Sequence, residues 1–141
     1  MKKLILGSLL FFAVQVGFAQ SEDAKTYVKN MNVKEQLEAA KEEILPSIQI
    51  GKEADFKKEF DATVNDFIQS FTKAVDENVT ADNLKAANKA FNETKQMTPA
   101  APKDLTAFQE KVNNLQNEMG MSLQGLVMKY AKPEVLETMQ E

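Results

Sequence analysis

Between Phe56 and Val75 the chain reads FKKEFDATVNDFIQSFTKAV, with apolar residues at Phe56, Phe60, Val64, Phe67, Phe71 and Val75. Their spacings of four, four, three, four and four wind an aromatic stripe along one face of a helix. Lys57, Lys58, Asp61, Asp66 and Lys73 occupy the opposite face. The pattern predicts an amphipathic helix of roughly 20 residues, about 30 Å long at 1.5 Å per residue. Such a stripe is stable only when other elements bring facing apolar surfaces to it.

The flanking segments supply those surfaces, all with helical period. Upstream, Ala24, Tyr27, Val28 and Met31 share a face, the phase resets at Asn32, and Val33, Leu37, Ala40, Ile44 and Ile48 continue. Pro46 lacks an amide hydrogen and clashes with the preceding turn, so a bend or stop is expected near Leu45, with Gly51 closing the segment. Downstream, Asp76-Glu77-Asn78 is read as a break, and Thr80 caps the next helix while Val79 and Leu84 form a hydrophobic staple. Leu84, Ala87, Phe91, Thr94 and Met97 are expected on its buried face.

Two prolines make Thr98-Pro99-Ala100-Ala101-Pro102 a loop. Beyond it Leu105, Phe108, Val112, Leu115, Met119, Leu123, Leu126 and Tyr130 run as a narrow seam, with Gly120 and Gly125 expected to weaken the second half. Pro133 can open a short last helix through Val135, Leu136 and Met139. No strand pattern competes. The predicted fold is all-α, an antiparallel bundle of three to four long amphipathic helices with short terminal helices.

The N-terminus reads as an address. Met1-Lys2-Lys3 is positive, Leu4 to Val16 is almost wholly apolar, and Gly17-Phe18-Ala19 offers a small-x-small cleavage site. Residues 1–19 are therefore expected to be a removable signal peptide, leaving 20–141 as one helical domain, exported to the periplasm or secreted. The apolar run is shorter than the ~20 residues of a spanning helix, and no second run approaches that length. No membrane span is expected after cleavage.

The 141 residues contain no Cys, His or Trp, and all 17 basic residues are lysine. That composition excludes disulfides, thiolate nucleophiles, imidazole bases and metal sites built on His or Cys. With Lys2 and Lys3 in the leader, fifteen lysines face all 21 acids, a net charge of −6 after cleavage. Interleaved charges of that balance argue against nucleic acid as a partner.

The candidate chemistry is correspondingly thin. Glu38, Glu42, Glu43, Glu53 and Asp55 could furnish paired carboxylates, but Lys34 with Glu38 and Lys57 with Asp61 have the spacing of a solvated helix face. Met119-Gly120-Met121 could suggest Cu(I), yet residues two apart point in nearly opposite directions on a helix. No cofactor is expected, and a hydrolase using acids alone is the low-weight enzymatic alternative. Phe56, Phe60, Phe67, Phe71, Phe91 and Phe108 form either a core stripe or the lining of an apolar ligand site.

The order of features resembles the bacterial domain-of-unknown-function family 2059. The resemblance runs from Tyr27 to Pro99 and rests on Val33-Lys34-Glu35-Gln36-Leu37, on Thr80-Ala81-Asp82-Asn83-Leu84-Lys85 and on Phe91. Asn92 stands where that family has a second aromatic, and Ala100-Ala101 where it has a glycine. The resemblance implies an exported bacterial helical domain and supplies no catalytic residue.

The expected role is a non-enzymatic binding module of the cell envelope whose partner is an envelope protein. The alternative is a carrier of a small apolar ligand held between the Phe56–Phe71 helix and the Leu105–Leu123 helix. An intact mass of the protein taken from its native host is expected to begin at Gln20; a mass that includes Met1 would overturn the leader.

Overall fold

A computed structural model describes residues 20–139, so the expected leader lies outside the described residues. The described chain forms α1 (Glu22–Asn30), α2 (Val33–Ile44), a 3-10 turn (Leu45–Ser47), α3 (Glu53–Asn78), α4 (Ala81–Thr94), α5 (Leu105–Tyr130) and α6 (Pro133–Thr138). The fold is all-α. Two isolated antiparallel bridges, Ile48 with Ala131 and Val79 with Pro102, are the β-type pairings among the described residues.

Local chemistry accounts for the boundaries. Ser21 caps α1 by accepting from the Ala24 amide, Thr80 caps α4 by accepting from Asn83, and Asp104 caps α5 by accepting from Ala107. Pro46 diverts the end of α2 into the 3-10 turn, as its missing donor requires. Gly51 adopts a positive φ of 84° in the turn that leads to α3.

The aromatic helix is longer than its pattern suggested. α3 spans 26 residues and continues through Asp76-Glu77-Asn78, because the Val79 amide still donates to Val75 and the Asn78 side chain donates to the Ala74 carbonyl. α5 also spans 26 residues and runs unbroken through Gly120 and Gly125.

α3 and α5 form the most extensive helix pair and run antiparallel, since the core divides into two clusters that match opposite ends of them. Around the first half of α3, Phe56, Phe60 and Val64 pack with Ile48, Leu126 and Tyr130, and Leu37 and Leu123 close the sides. Around its second half, Phe67, Phe71 and Val75 pack with Ala24, Tyr27 and Val28 of α1 and Leu84 and Ala87 of α4. Phe108, Val112, Leu115 and Met119 of α5 complete that cluster.

Three expected core positions differ, the first being Thr94, which is exposed at the end of α4 with its hydroxyl donating to the Ala90 carbonyl. Phe91 is only half-buried and lies outside both clusters, because Asn88 takes the inward position. Its amide donates to the Asp23 carbonyl of α1 at 2.9 Å, which turns the buried face of α4 toward Leu84, Ala87 and Asn88. Leu105 is 58% exposed, since it is the first residue of α5 and the seam begins one turn later at Phe108. The connection before α5 covers residues 95–104 rather than five residues, and Ala100 within it donates to the Tyr27 hydroxyl at 3.1 Å.

Phe67→Ala is expected to lower stability by about 3–5 kcal/mol, whereas Phe91→Ala should cost under ~1 kcal/mol. Urea unfolding of both variants measures the contrast. Equal losses would overturn the assignment of Phe67 to the core and Phe91 to its margin.

Candidate functional site

The phenylalanines bury one another. Phe56 and Phe60 lie 5.7 Å apart between ring centroids, and Phe56 meets Tyr130 edge-on at 6.2 Å. Phe67 and Phe71 are stacked at 5.8 Å with their planes 3° apart. With Phe108 half-buried against them, these rings fill the seam between α3 and α5. The opening left along that seam has a volume of about 180 Å³ and is edged by Asp66, Ser70, Glu118 and Ser122.

A larger cleft lies elsewhere, between α1, α2 and the middle of α3. Its volume is about 340 Å³. Val28 of α1 and Ile68 and Thr72 of α3 line it, and the Thr72 hydroxyl is spent on its own helix, donating to the Ile68 carbonyl at 2.7 Å. Gln20, Gln69, Lys25, Lys29, Lys34 and Glu35 supply its polar border.

The cleft exists because α1 and α2 meet at a sharp corner. Asn32 holds a left-handed conformation with φ 54°, which Asn tolerates better than most residues. α1 is fixed on the far side of this corner. The Ser21 hydroxyl donates to the Asp76 carboxylate of α3, and Asn30 donates to Asn88 of α4 at 3.3 Å. Gln20 spans the mouth, its amide donating to the Gln69 carbonyl at 2.9 Å.

The charges around the cleft are unevenly satisfied. Lys25 pairs with Glu22 at 2.7 Å. Lys29 and Lys34 have no hydrogen-bond or ion-pair partner among the described residues. Glu35 is the one carboxylate on the border.

Of the carboxylates considered for catalysis, Glu38, Glu53 and Asp55 go to structural partners, while Glu42 and Glu43 are simply exposed on α2. Glu38 and Asp61 do not pair with Lys34 and Lys57; both converge on Lys41, with Asp61 at 2.6 Å. Lys41 is buried, and the bonds from Asp61 and then Glu38 raise its pKa above the ordinary lysine value. Glu53 accepts from the Gly51 amide at 2.7 Å, and Asp55 lies 3.9 Å from Lys52. No group of three potential ligands that could hold a metal ion occurs among the described residues. Met119 is half-buried against the core and Met121 is 66% exposed, so the two thioethers are not brought together.

A second polar cluster, unforeseen in the sequence, joins α3 to α5. Glu59 accepts from Lys129 at 2.7 Å and from the Tyr130 hydroxyl. The lysine bond, and then the tyrosine bond, hold the Glu59 pKa below the ordinary value of 4.5. That is the direction opposite to a general acid kept protonated by burial. Glu59 in turn raises the pKa values of Lys129 and Tyr130. The sequence signal was present only as a Glu on the flank of the aromatic stripe and a Lys-Tyr pair at the end of the seam.

A carboxylate with a depressed folded-state pKa stabilises above its unfolded value and loses that contribution as pH falls through the folded one. Wild type is therefore expected to be more stable than Glu59→Gln at neutral pH, with the difference shrinking as pH falls below 4.5. Thermal melts across that range measure it, and a pH-independent difference would overturn the pairing.

No family model matches the chain, and no curated protein and no solved structure matches it.

Proposed function

We propose that this protein is a non-enzymatic binding module that holds the apolar part of a small molecule in the cleft between α1, α2 and α3. The observation that carries the reading is the cleft itself, about 340 Å³ in volume with Val28 and Ile68 in its lining. Small-molecule sites of roughly 300–1,000 Å³ with apolar linings and a few polar groups at the edge are the usual form. The seam between α3 and α5 is smaller and edged by Asp66 and Glu118, so the apolar ligand is assigned to the opposite side of α3.

The remaining parts of the reading rest on the sequence. The positive, apolar and small-residue segments of the leader support export to the periplasm or the medium. The resemblance to family 2059 supports a bacterial envelope setting, and the alternating helical stripes support an antiparallel bundle as the scaffold. A second reading, docking to an envelope protein, is favoured by Ile50 at 91% and Met121 at 66% exposure.

The neutral fluorophore N-phenyl-naphthylamine tests the cleft. Titration of the purified protein is expected to saturate at one molecule per chain, and Gln69→Phe, which places bulk at the mouth, should weaken binding about tenfold, or ~1.4 kcal/mol. Enhancement that does not saturate, or that Gln69→Phe leaves unchanged, would refute the cleft. Met121→Lys with Met128→Lys, read by cross-linking to envelope proteins, would then decide the second reading.

A further inference from the structure

We infer that the ligand of this cleft is a single-chain amphiphile with one carboxylate head, its chain against Val28 and Ile68 and its head between Lys29 and Lys34. The inference rests on the cleft being the binding site and adds the class of molecule it takes.

Three observations converge on that class. The first is the division of the cleft into an apolar part and a charged border. Val28 and Ile68 offer no polar atom, and Thr72 has committed its hydroxyl to the Ile68 carbonyl. A ligand polar throughout would lose its hydration there without replacement, which is unfavourable. The chain end must be apolar.

The second observation is the state of the lysines. Lys25, which also borders the cleft, is neutralised by Glu22 at helical spacing. Of the lysines with no hydrogen-bond or ion-pair partner among the described residues, Lys29 at the end of α1 and Lys34 at the start of α2 border this cleft, whereas Lys57, Lys58, Lys85, Lys89 and Lys95 do not. Lys29 and Lys34 flank the α1–α2 corner and so leave two cationic groups for an incoming anion.

The third observation limits the size and charge of that anion. A volume of about 340 Å³ is at the small end of ligand sites, too little for the paired chains of a bilayer lipid. Glu35 on the border and a net charge of −4 for the whole chain both penalise a second negative charge on the head. One chain and one charge satisfy both limits.

Decanoate, decanol and decyltrimethylammonium share a chain length and differ in the head. Displacement of N-phenyl-naphthylamine from the purified protein at low salt compares them. Decanoate is expected to displace at about threefold to tenfold lower concentration than decanol, as one or two exposed ion pairs would give, and decyltrimethylammonium should be weakest. In Lys29→Ala with Lys34→Ala, the advantage of decanoate should disappear while decanol is unchanged. Added salt should have the same effect, because the paired charges are exposed. Both lysines lie on helix surfaces where alanine is favourable, so the variant keeps its fold, as an unchanged unfolding transition would verify.

Equal displacement by decanoate and decanol would overturn the carboxylate head and leave the apolar cleft standing. A decanoate preference that survives the double substitution would overturn its placement between Lys29 and Lys34, and a preference for decyltrimethylammonium would overturn the charge assignment. Displacement by none of the three would overturn the single-chain amphiphile as the ligand, while the cleft itself stands or falls with the N-phenyl-naphthylamine titration.

Discussion

Burial of one face of α3 is the interaction on which the rest of the structure depends. Phe56, Phe60, Val64, Phe67, Phe71 and Val75 lie on a single helix, yet they belong to two core clusters with different partner helices. Burying each large apolar side chain contributes roughly 1.5–3 kcal/mol relative to exposure. With no Cys in the chain, no cross-link can substitute for that contribution. α5 covers the stripe along its length, while α1 and α4 cover its second half and α2 and the turn after it cover its first. A bend in α3 would open both clusters together.

Most of this was legible because the signals were local or periodic. The stripe from Phe56, the stop at Pro46 and the cap at Thr80 each depend on residues within a turn or two of one another. The differences arise where one helix meets another. The apolar pattern puts Phe91 on the buried face of α4, and the Asp23 carbonyl on α1, which no local signal reveals, brings Asn88 inward instead. Lys41 lies three residues from Glu38, but Asp61 reaches it from α3, a separation of 20 residues that helical spacing rules do not cover. A burial stripe also carries no information about where it ends, so Leu105 looked like seam and lies beyond it.

The cleft was illegible for the same reason. Its lining comes from three helices, and none of Val28, Ile68 or Thr72 stands out from an ordinary amphipathic face. Lys29 and Lys34 read as solvated charges until Asn32 turns the backbone between them. Charge satisfaction elsewhere gives them their meaning. Lys41, Lys111 and Lys129 each hold a carboxylate within 3.0 Å, whereas Lys29 and Lys34 are left without a partner among the described residues at the border of an apolar cleft.

The two backbone bridges give the molecule a mechanical asymmetry. At one end of the long helix pair the Gln49 amide donates to the Tyr130 carbonyl and Lys132 donates to Ser47; at the other, Lys103 donates to the Asn78 carbonyl at 2.7 Å. α5 is thus pinned at both ends to the chain that enters and leaves α3, and cannot slide along it without breaking hydrogen bonds at one terminus. Shear, the usual small motion between packed helices, is blocked on that side. No equivalent backbone clamp joins α2 to α3 among the described residues. α2 is joined to α3 by side chains instead, through the Lys41–Asp61 pair and the packing of Leu37, so the aromatic seam rather than the Asn32 corner sets the register of the long helices.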